Sequence, residues 1–247
     1  MSGLVRRTAL ALLAGLAALC TAAAAPPGAS LVPPKTGKIP VAVLVTEYAN
    51  LIDFAGPSSV FSNVIVKGRG NSKGEDVPED DQYPFDVFLV GDSPGPVETG
   101  AGMAVVPRYD FDHAPVPRIV VVGAQRGSAK MKAWLQKAAA DPRTDVIMSV
   151  CTGAFKLAGA GLLDGKPATT HHGYYDELAK SFPKVEVRRG LRFVRSDARI
   201  FTAGGLTSGI DLALHVVDLY FGERVAQATA DWMEYRSAEW KTGKIAR

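Results

Sequence analysis

Cys151 is the residue of this sequence best placed to do chemistry. It follows a mostly apolar run, 145–150 (DVIMSV), that is typical of a buried strand. A helical pattern begins directly after it at Thr152, with the small residues Gly153 and Ala154 in its first turn. A nucleophile at such a strand-to-helix turn sits in a strained position at the edge of the sheet. The amides and dipole of the helix N-terminus would favour the thiolate. The pattern predicts a nucleophile elbow with an acidic, reactive thiol, and the alternative is a buried, inert cysteine.

The segments around Cys151 predict the sheet that would hold it. Continuous β-branched runs predict strands at 39–46, 85–90, 118–123 and 145–150, and helical patterns occupy 56–66, 128–140, 152–160 and 208–221. Unbroken apolar strands alternating with helices predict a three-layer α/β sandwich with a mostly parallel sheet. Ligands bind beyond the carboxyl ends of such strands, where Cys151 lies. The polar segment 67–82 is expected at the opposite edge, as a solvated insertion.

The N-terminal sequence is typical of an export signal, and a single domain is predicted to follow it. Arg6 and Arg7, the apolar stretch 9–19 and the small residues 21–25 predict a signal peptide over residues 1–25, with a loose match to the twin-arginine type. A Pro-rich linker, 26–38, and one domain, 39–247, would follow. The expected location is periplasmic or secreted, with no membrane attachment after cleavage. Removal of Cys20 would leave Cys151 as the lone thiol.

Composition excludes several classes of protein. The 247 residues carry 28 basic and 25 acidic side chains, a formal charge of +3, and 47% hydrophobic residues. This balance is that of a soluble globular protein, and no basic patch suggests nucleic acid binding.

Three segments resemble the DJ-1/PfpI superfamily, in the subgroup that contains isocyanide (isonitrile) hydratases and the sensor domains of some AraC-type regulators. They are 150–172 (VCTGAFKLAGAGLLDGKPATTHH), 201–222 (FTAGGLTSGIDLALHVVDLYFG) and 51–61 (LIDFAGPSSVF). The resemblance implies a flavodoxin-like α/β sandwich that forms a homodimer, uses no cofactor, and has a cysteine at a nucleophile elbow with an acidic residue beside it.

The resemblance also implies roles for individual residues. Cys151 takes the nucleophile position, and Asp53 takes the position of the acidic residue that contacts it. Thr152 matches the residue after the nucleophile, and its amide would face developing negative charge. A second amide donor would come from the turn at Gly123 and Ala124, where relatives often have Gly-Gly.

Simpler roles remain open for two of these residues. Asp53 could cap a helix that begins near Gly56 and Pro57. Thr152 could be only the first residue of its helix.

His171 and His172 are candidates for a metal site or a catalytic pair. If they lie on a strand, their side chains point to opposite faces, so at most one reaches the site. A third ligand at workable spacing is missing, and no metal is expected. His171 matches the histidine of the family's Thr-Thr-His segment and is a possible site residue. Thr152 stands where the peptidase branch has histidine, which argues against a protease.

Together these features favour a cofactor-free, cysteine-dependent hydratase or hydrolase of a small electrophilic substrate, with hydration of an isocyanide to an N-substituted formamide as the leading reaction. Two alternatives stay open. One is a non-catalytic thiol sensor or small-ligand-binding protein. The other is glyoxalase-type chemistry on aldehydes.

Overall fold

A seven-stranded sheet forms the centre of the computed structural model, which describes residues 31–69 and 82–244. The strands are β1 (Ile39–Leu44), β2 (Phe85–Gly91), β3 (Val97–Glu98), β4 (Ala104–Val105), β5 (Tyr109–Asp110), β6 (Ile119–Val122), β7 (Val146–Ser149), β8 (Pro167–Ala168), β9 (Glu186–Val187), β10 (Phe193–Arg195) and β11 (Ile200–Ala203). The central order is β10-β11-β7-β6-β1-β2-β5, and only β10 runs antiparallel to its neighbour. β3 pairs with β4, and β8 with β9, in two small separate sheets.

Helices cover both faces of the central sheet. They are α1 (Leu51–Ser62), α2 (Ala129–Ala140), α3 (Gly153–Gly159), α4 (Tyr175–Ser181), α5 (Ser208–Phe221) and α6 (Glu223–Trp232). Val41 and Val43 of β1 pack in the core beneath α1, α5 and α6, whereas Ala42 and Leu44 pack beneath α2, α3 and α4. A strand buried on both faces needs an unbroken apolar sequence, which is what β1 has. The predicted three-layer, mostly parallel α/β sandwich is confirmed.

The bounds of α1 differ from the prediction. The helix begins at Leu51 rather than Gly56 and ends at Ser62, so Pro57 lies inside it instead of opening it. A proline there removes one backbone donor. Burial of Phe54, Val60 and Phe61 against the sheet holds the helix together regardless. Packing of an apolar face therefore overrides the local start signal.

Other elements agree with the sequence or were missed by it. α5 has the predicted bounds, and α2 starts one residue after its predicted start because Ser128 is the N-cap, whose side chain accepts a hydrogen bond from the Met131 amide. α6 was not predicted. It follows α5 after a single residue, Gly222, whose φ of 83° suits glycine and turns the chain.

Several predictions concern residues outside the described part of the chain. These are the signal peptide 1–25, the start of the linker, and most of segment 67–82. The described half of the predicted linker is hydrogen-bonded to the fold: the Leu31 amide donates to the Leu219 carbonyl at 2.8 Å, and Arg118 donates to the Val32 carbonyl. Among the described helices, none has the length and apolar character needed to span a membrane.

Candidate active site

Cys151 lies in a sharp turn directly after β7. Its φ is 57°, a left-handed value that is unusual for a residue with a side chain. Its amide donates to the Gly204 carbonyl and its carbonyl accepts from the Thr170 hydroxyl, both at 2.8 Å. At Gly153, which opens α3, a Cβ atom would lie 2.1 Å from the Val122 carbonyl oxygen, so only glycine allows the helix to start this close to β6. The predicted nucleophile elbow is confirmed.

Asp53 reaches the elbow from α1. It is the third residue of that helix and is fully buried, so it is not the cap of a helix that starts near Gly56, and this alternative is wrong. Its Oδ2 accepts a hydrogen bond from the Ala124 amide at 2.9 Å. Its buried Oδ1 makes no hydrogen bond of standard geometry within the described residues, and the carboxyl group interacts with the thiol of Cys151.

Burial raises the cost of ionising both acids of this pair. Burial raises the pKa of Asp53 from 3.8 to about 6, although the Ala124 amide and the thiol oppose this. Burial, together with the negative charge of Asp53, raises the pKa of Cys151 from 9.0 to about 11. The prediction of an acidic thiol is therefore wrong. The start of the seven-residue α3 does not compensate for desolvation and a neighbouring carboxylate. At neutral pH the pair consists mainly of a thiol and a carboxylate.

Two backbone amides donate hydrogen bonds to the sulfur of Cys151, and one of them was not predicted from the sequence. They belong to Thr152 and Leu206, and both lower the pKa of the thiol. The Ala124 amide, expected as the second donor, is instead bonded to Asp53. Gly123 allows that contact, because a Cβ there would lie 2.7 Å from the Cβ of Asp53. The correction to the predicted site is that residues 123–124 hold the carboxylate and Leu206 faces the sulfur.

The turn that carries Leu206 is fixed by Arg192. The φ of Leu206 is 49°, again left-handed. The Arg192 carbonyl accepts from the Gly204 amide at 2.8 Å, and its guanidinium donates to Thr207 at 3.2 Å and to the fully buried Asp211 at 2.7 Å. In the sequence, the Gly204–Gly205 pair indicates a tight turn here, but it does not indicate which amide faces the sulfur.

His171 contacts the turn rather than the thiol. It precedes a 3-10 turn, His172–Tyr174, and is not on a strand, so the two histidine rings do not point to opposite faces but stack with centroids 4.4 Å apart. Its Nδ1 accepts from the Gly173 amide at 3.1 Å, and its Cδ2 lies 2.5 Å from where a Cβ of Gly205 would be. Partial burial lowers its pKa. Across the described ranges, no three His, Cys, Asp or Glu side chains come close enough to hold a metal ion.

A doubly wound sheet with a cysteine elbow and a buried carboxylate defines the structural class of this protein. The family model "DJ-1/PfpI family" matches residues 40–219, and the chain belongs to that family. It is 35% identical over 158 residues to the isonitrile hydratase of Pseudomonas putida, and this match covers 62% of this chain and 67% of the hydratase. It is 30% identical over 139 residues to the HTH-type transcriptional regulator GbdR of Pseudomonas aeruginosa, where the match covers 54% of this chain and only 37% of the regulator.

Solved structures agree with this assignment. A ThiJ/PfpI family protein from Pseudomonas syringae superimposes with a TM-score of 0.65 at 27% identity, covering 83% of this chain and 78% of that one. Drosophila melanogaster DJ-1beta superimposes with a TM-score of 0.63 at 14% identity, covering 81% and 100%, which shows a shared fold alone.

Proposed function

We propose that this protein is a cofactor-free, cysteine-dependent hydratase that converts an isocyanide into an N-substituted formamide. The observation that carries the proposal is the buried Cys151–Asp53 pair, in which a carboxylate with a pKa of about 6 lies against a thiol with a pKa of about 11. Such a pair suits a reaction in which one proton must leave sulfur and arrive at substrate. The 35% identity to an isonitrile hydratase supports the choice of substrate.

The geometry suggests an order of steps. The sulfur of Cys151 bonds to the isocyanide carbon while its proton passes by way of the Asp53 carboxylate to that same carbon, giving a thioimidate. The Thr152 and Leu206 amides stabilise the negative charge that develops on sulfur. Water then adds across the carbon–nitrogen double bond of the thioimidate, its oxygen to carbon and one proton to nitrogen. Breaking the carbon–sulfur bond releases the formamide, and Asp53 returns the hydroxyl proton to sulfur.

Turnover by the purified protein tests the proposal. Cyclohexyl isocyanide should yield N-cyclohexylformamide, measured by NMR. Cys151→Ala should abolish the reaction, and Asp53→Asn should slow it about 100-fold or more, as expected for loss of a proton-transfer group. Asp141→Asn changes a partly buried carboxylate that pairs with Arg143 before β7, at the opposite end of that strand from Cys151; it is the control and should keep wild-type activity. No formamide from wild type, or equal rates from wild type and Cys151→Ala, would refute the proposal.

A non-catalytic ligand-binding or sensor role is the second candidate, because the match to GbdR shows that related domains occur in regulators. The raised pKa of Cys151 disfavours a peroxide sensor, since the thiolate is the species that is oxidised. Mass spectrometry after mild peroxide treatment decides: a discrete oxygen adduct on Cys151 without any turnover would favour the sensor. Glyoxalase activity is the third candidate and is tested with methylglyoxal in the same preparation.

We further propose that the protein is exported and acts as a homodimer. The support for export is the signal-like sequence 1–25, and the support for a dimer is the family resemblance. A mature N-terminus near residue 26 in a periplasmic fraction, and a sedimentation mass of twice the mature chain, are the expected results.

A further inference from the structure

A cavity is lined by two residues whose backbone amides contact the Cys151–Asp53 pair. Its volume is about 710 Å³, within the range of small-molecule sites. Two of the residues that line it are Leu206, whose amide contacts the sulfur of Cys151, and Ala124, whose amide holds Asp53. A substrate whose reacting carbon meets the sulfur would therefore extend its substituent into this cavity.

The wall of this cavity is uncharged and largely apolar, and its polar side chains are those of Tyr48, Asn50 and Gln125. Leu51, Ile52 and Ala55 of α1 form one side, and Ala101 of the β3–β4 hairpin and Leu206 lie around it. None of the described residues that line it is Asp, Glu, Lys or Arg.

Charged side chains lie on the other side of Tyr48, which borders both spaces. Glu47, Asp92, Glu98 and Arg126 line a separate cavity of about 520 Å³. The Arg126 guanidinium lies 4.9 Å from the centre of the Tyr48 ring and pairs with Glu47 at 2.9 Å, and it does not line the apolar cavity.

From this distribution we propose that the cavity beside Cys151 selects substrates with an uncharged, apolar N-substituent. The inference rests on the proposed function. A charged group in this cavity would lose water without gaining an oppositely charged partner from the lining, whereas an alkyl group would leave water for a largely apolar wall. Each methylene buried should raise kcat/KM by roughly fourfold.

A pair of substrates of similar shape isolates the effect of charge. Methyl isocyanoacetate is neutral and exceeds the isocyanoacetate anion by a single methyl group, whose burial accounts for only roughly fourfold. Wild type should prefer the ester by about 100-fold in kcat/KM. Ala101 lies at the exposed tip of the hairpin, so substitution there should leave the core intact. Ala101→Lys supplies a cation and should reduce the preference to about tenfold, and Ala101→Gln, of similar length and uncharged, should leave it near the wild-type value.

Binding of products gives a readout that does not need turnover. Calorimetry with N-butylformamide and with the N-formylglycine anion should show tighter binding of the neutral compound to the wild-type protein. Tighter neutral binding without any isocyanide turnover would refute the proposed reaction and keep the inference about the cavity. Equal or tighter binding of the anion, or equal kcat/KM for ester and anion, would overturn the inference whatever the reaction.

Discussion

Replacing Asp53 by Asn should make the protein more stable while it removes activity. In the native state Asp53 is fully buried, and its pKa is raised from 3.8 to about 6 because burial disfavours the charged form. Native protein with ionised Asp53 is therefore less stable than it would be with a neutral group at the same position. Asparagine has nearly the same shape, carries no charge, and its side-chain oxygen can still accept the hydrogen bond of the Ala124 amide.

The magnitude follows from the two pKa values. A carboxyl whose native pKa is raised has no ionisation cost well below pH 3.8, where it is protonated in both states. The cost grows as pH rises and is complete above pH 6. At about 1.4 kcal/mol per pH unit, the cost to native stability is about 3 kcal/mol at pH 7 and about 0.5 kcal/mol at pH 4. Asp53→Asn should therefore gain about 2 kcal/mol more at pH 7 than at pH 4.

Urea unfolding of wild type and variant at the two pH values measures this difference. Comparing one substitution at two pH values cancels any pH-independent effect of changing the side chain. The control is Asp141→Asn, because Arg143 holds the pKa of Asp141 at about 2, below the range compared. A gain for Asp53→Asn that is the same at pH 4 and pH 7, or a loss at pH 7, would show that Asp53 is not a costly buried carboxylate.

Three further predictions follow from the elbow and from α1. The rate at which iodoacetamide alkylates Cys151 should rise about tenfold per pH unit toward pH 11, and a rate that levels off near pH 7 would contradict the raised pKa. At pH 8, Asp53→Asn should increase this rate, because the variant loses the negative charge beside the thiol. Gly153→Ala should cost about 3 kcal/mol or more of unfolding free energy, since its Cβ would meet the Val122 carbonyl, and a Tm within one degree of wild type would refute the close contact. Asn50→Ala should change the free energy of unfolding in urea by less than about 0.5 kcal/mol, because the Asn50 side chain at the N-cap of α1 does not make the hydrogen bond by which N-cap residues stabilise a helix. A larger loss would show that the Asn50 side chain makes another stabilising contact.

The elbow could be predicted from sequence because its determinants are adjacent in the chain. An apolar strand, the cysteine, Gly153 and a helical pattern follow one another, and each has a local meaning. The start of α1 could not be predicted in this way. Pro57 is a local signal for a helix start, and it is outweighed by packing of Phe54 and Phe61 against strands that are distant in sequence.

The ionisation of the site depends on contacts between distant segments. The local pattern around Cys151 indicates a helix N-terminus, which favours a thiolate. The carboxylate of Asp53 reaches the thiol, and both groups become buried, only when α1 packs against the sheet beside β6, and these contacts reverse the outcome. The Leu206 amide likewise reaches the sulfur because Arg192 and Asp211 hold its turn in place. No local motif in the sequence predicts that this amide contacts the sulfur.

The raised pKa of Cys151 also bears on how its thiol would react with compounds other than the substrate of the proposed reaction. At pH 7 only about one molecule in ten thousand carries the ionised sulfur. Electrophiles that need a free thiolate should therefore react slowly with Cys151, whereas in the proposed reaction the substrate takes up the sulfur's proton, with the help of Asp53, in the same step in which it bonds to the sulfur. A cysteine held as the thiol in this way should be alkylated and oxidised more slowly than one held as the thiolate.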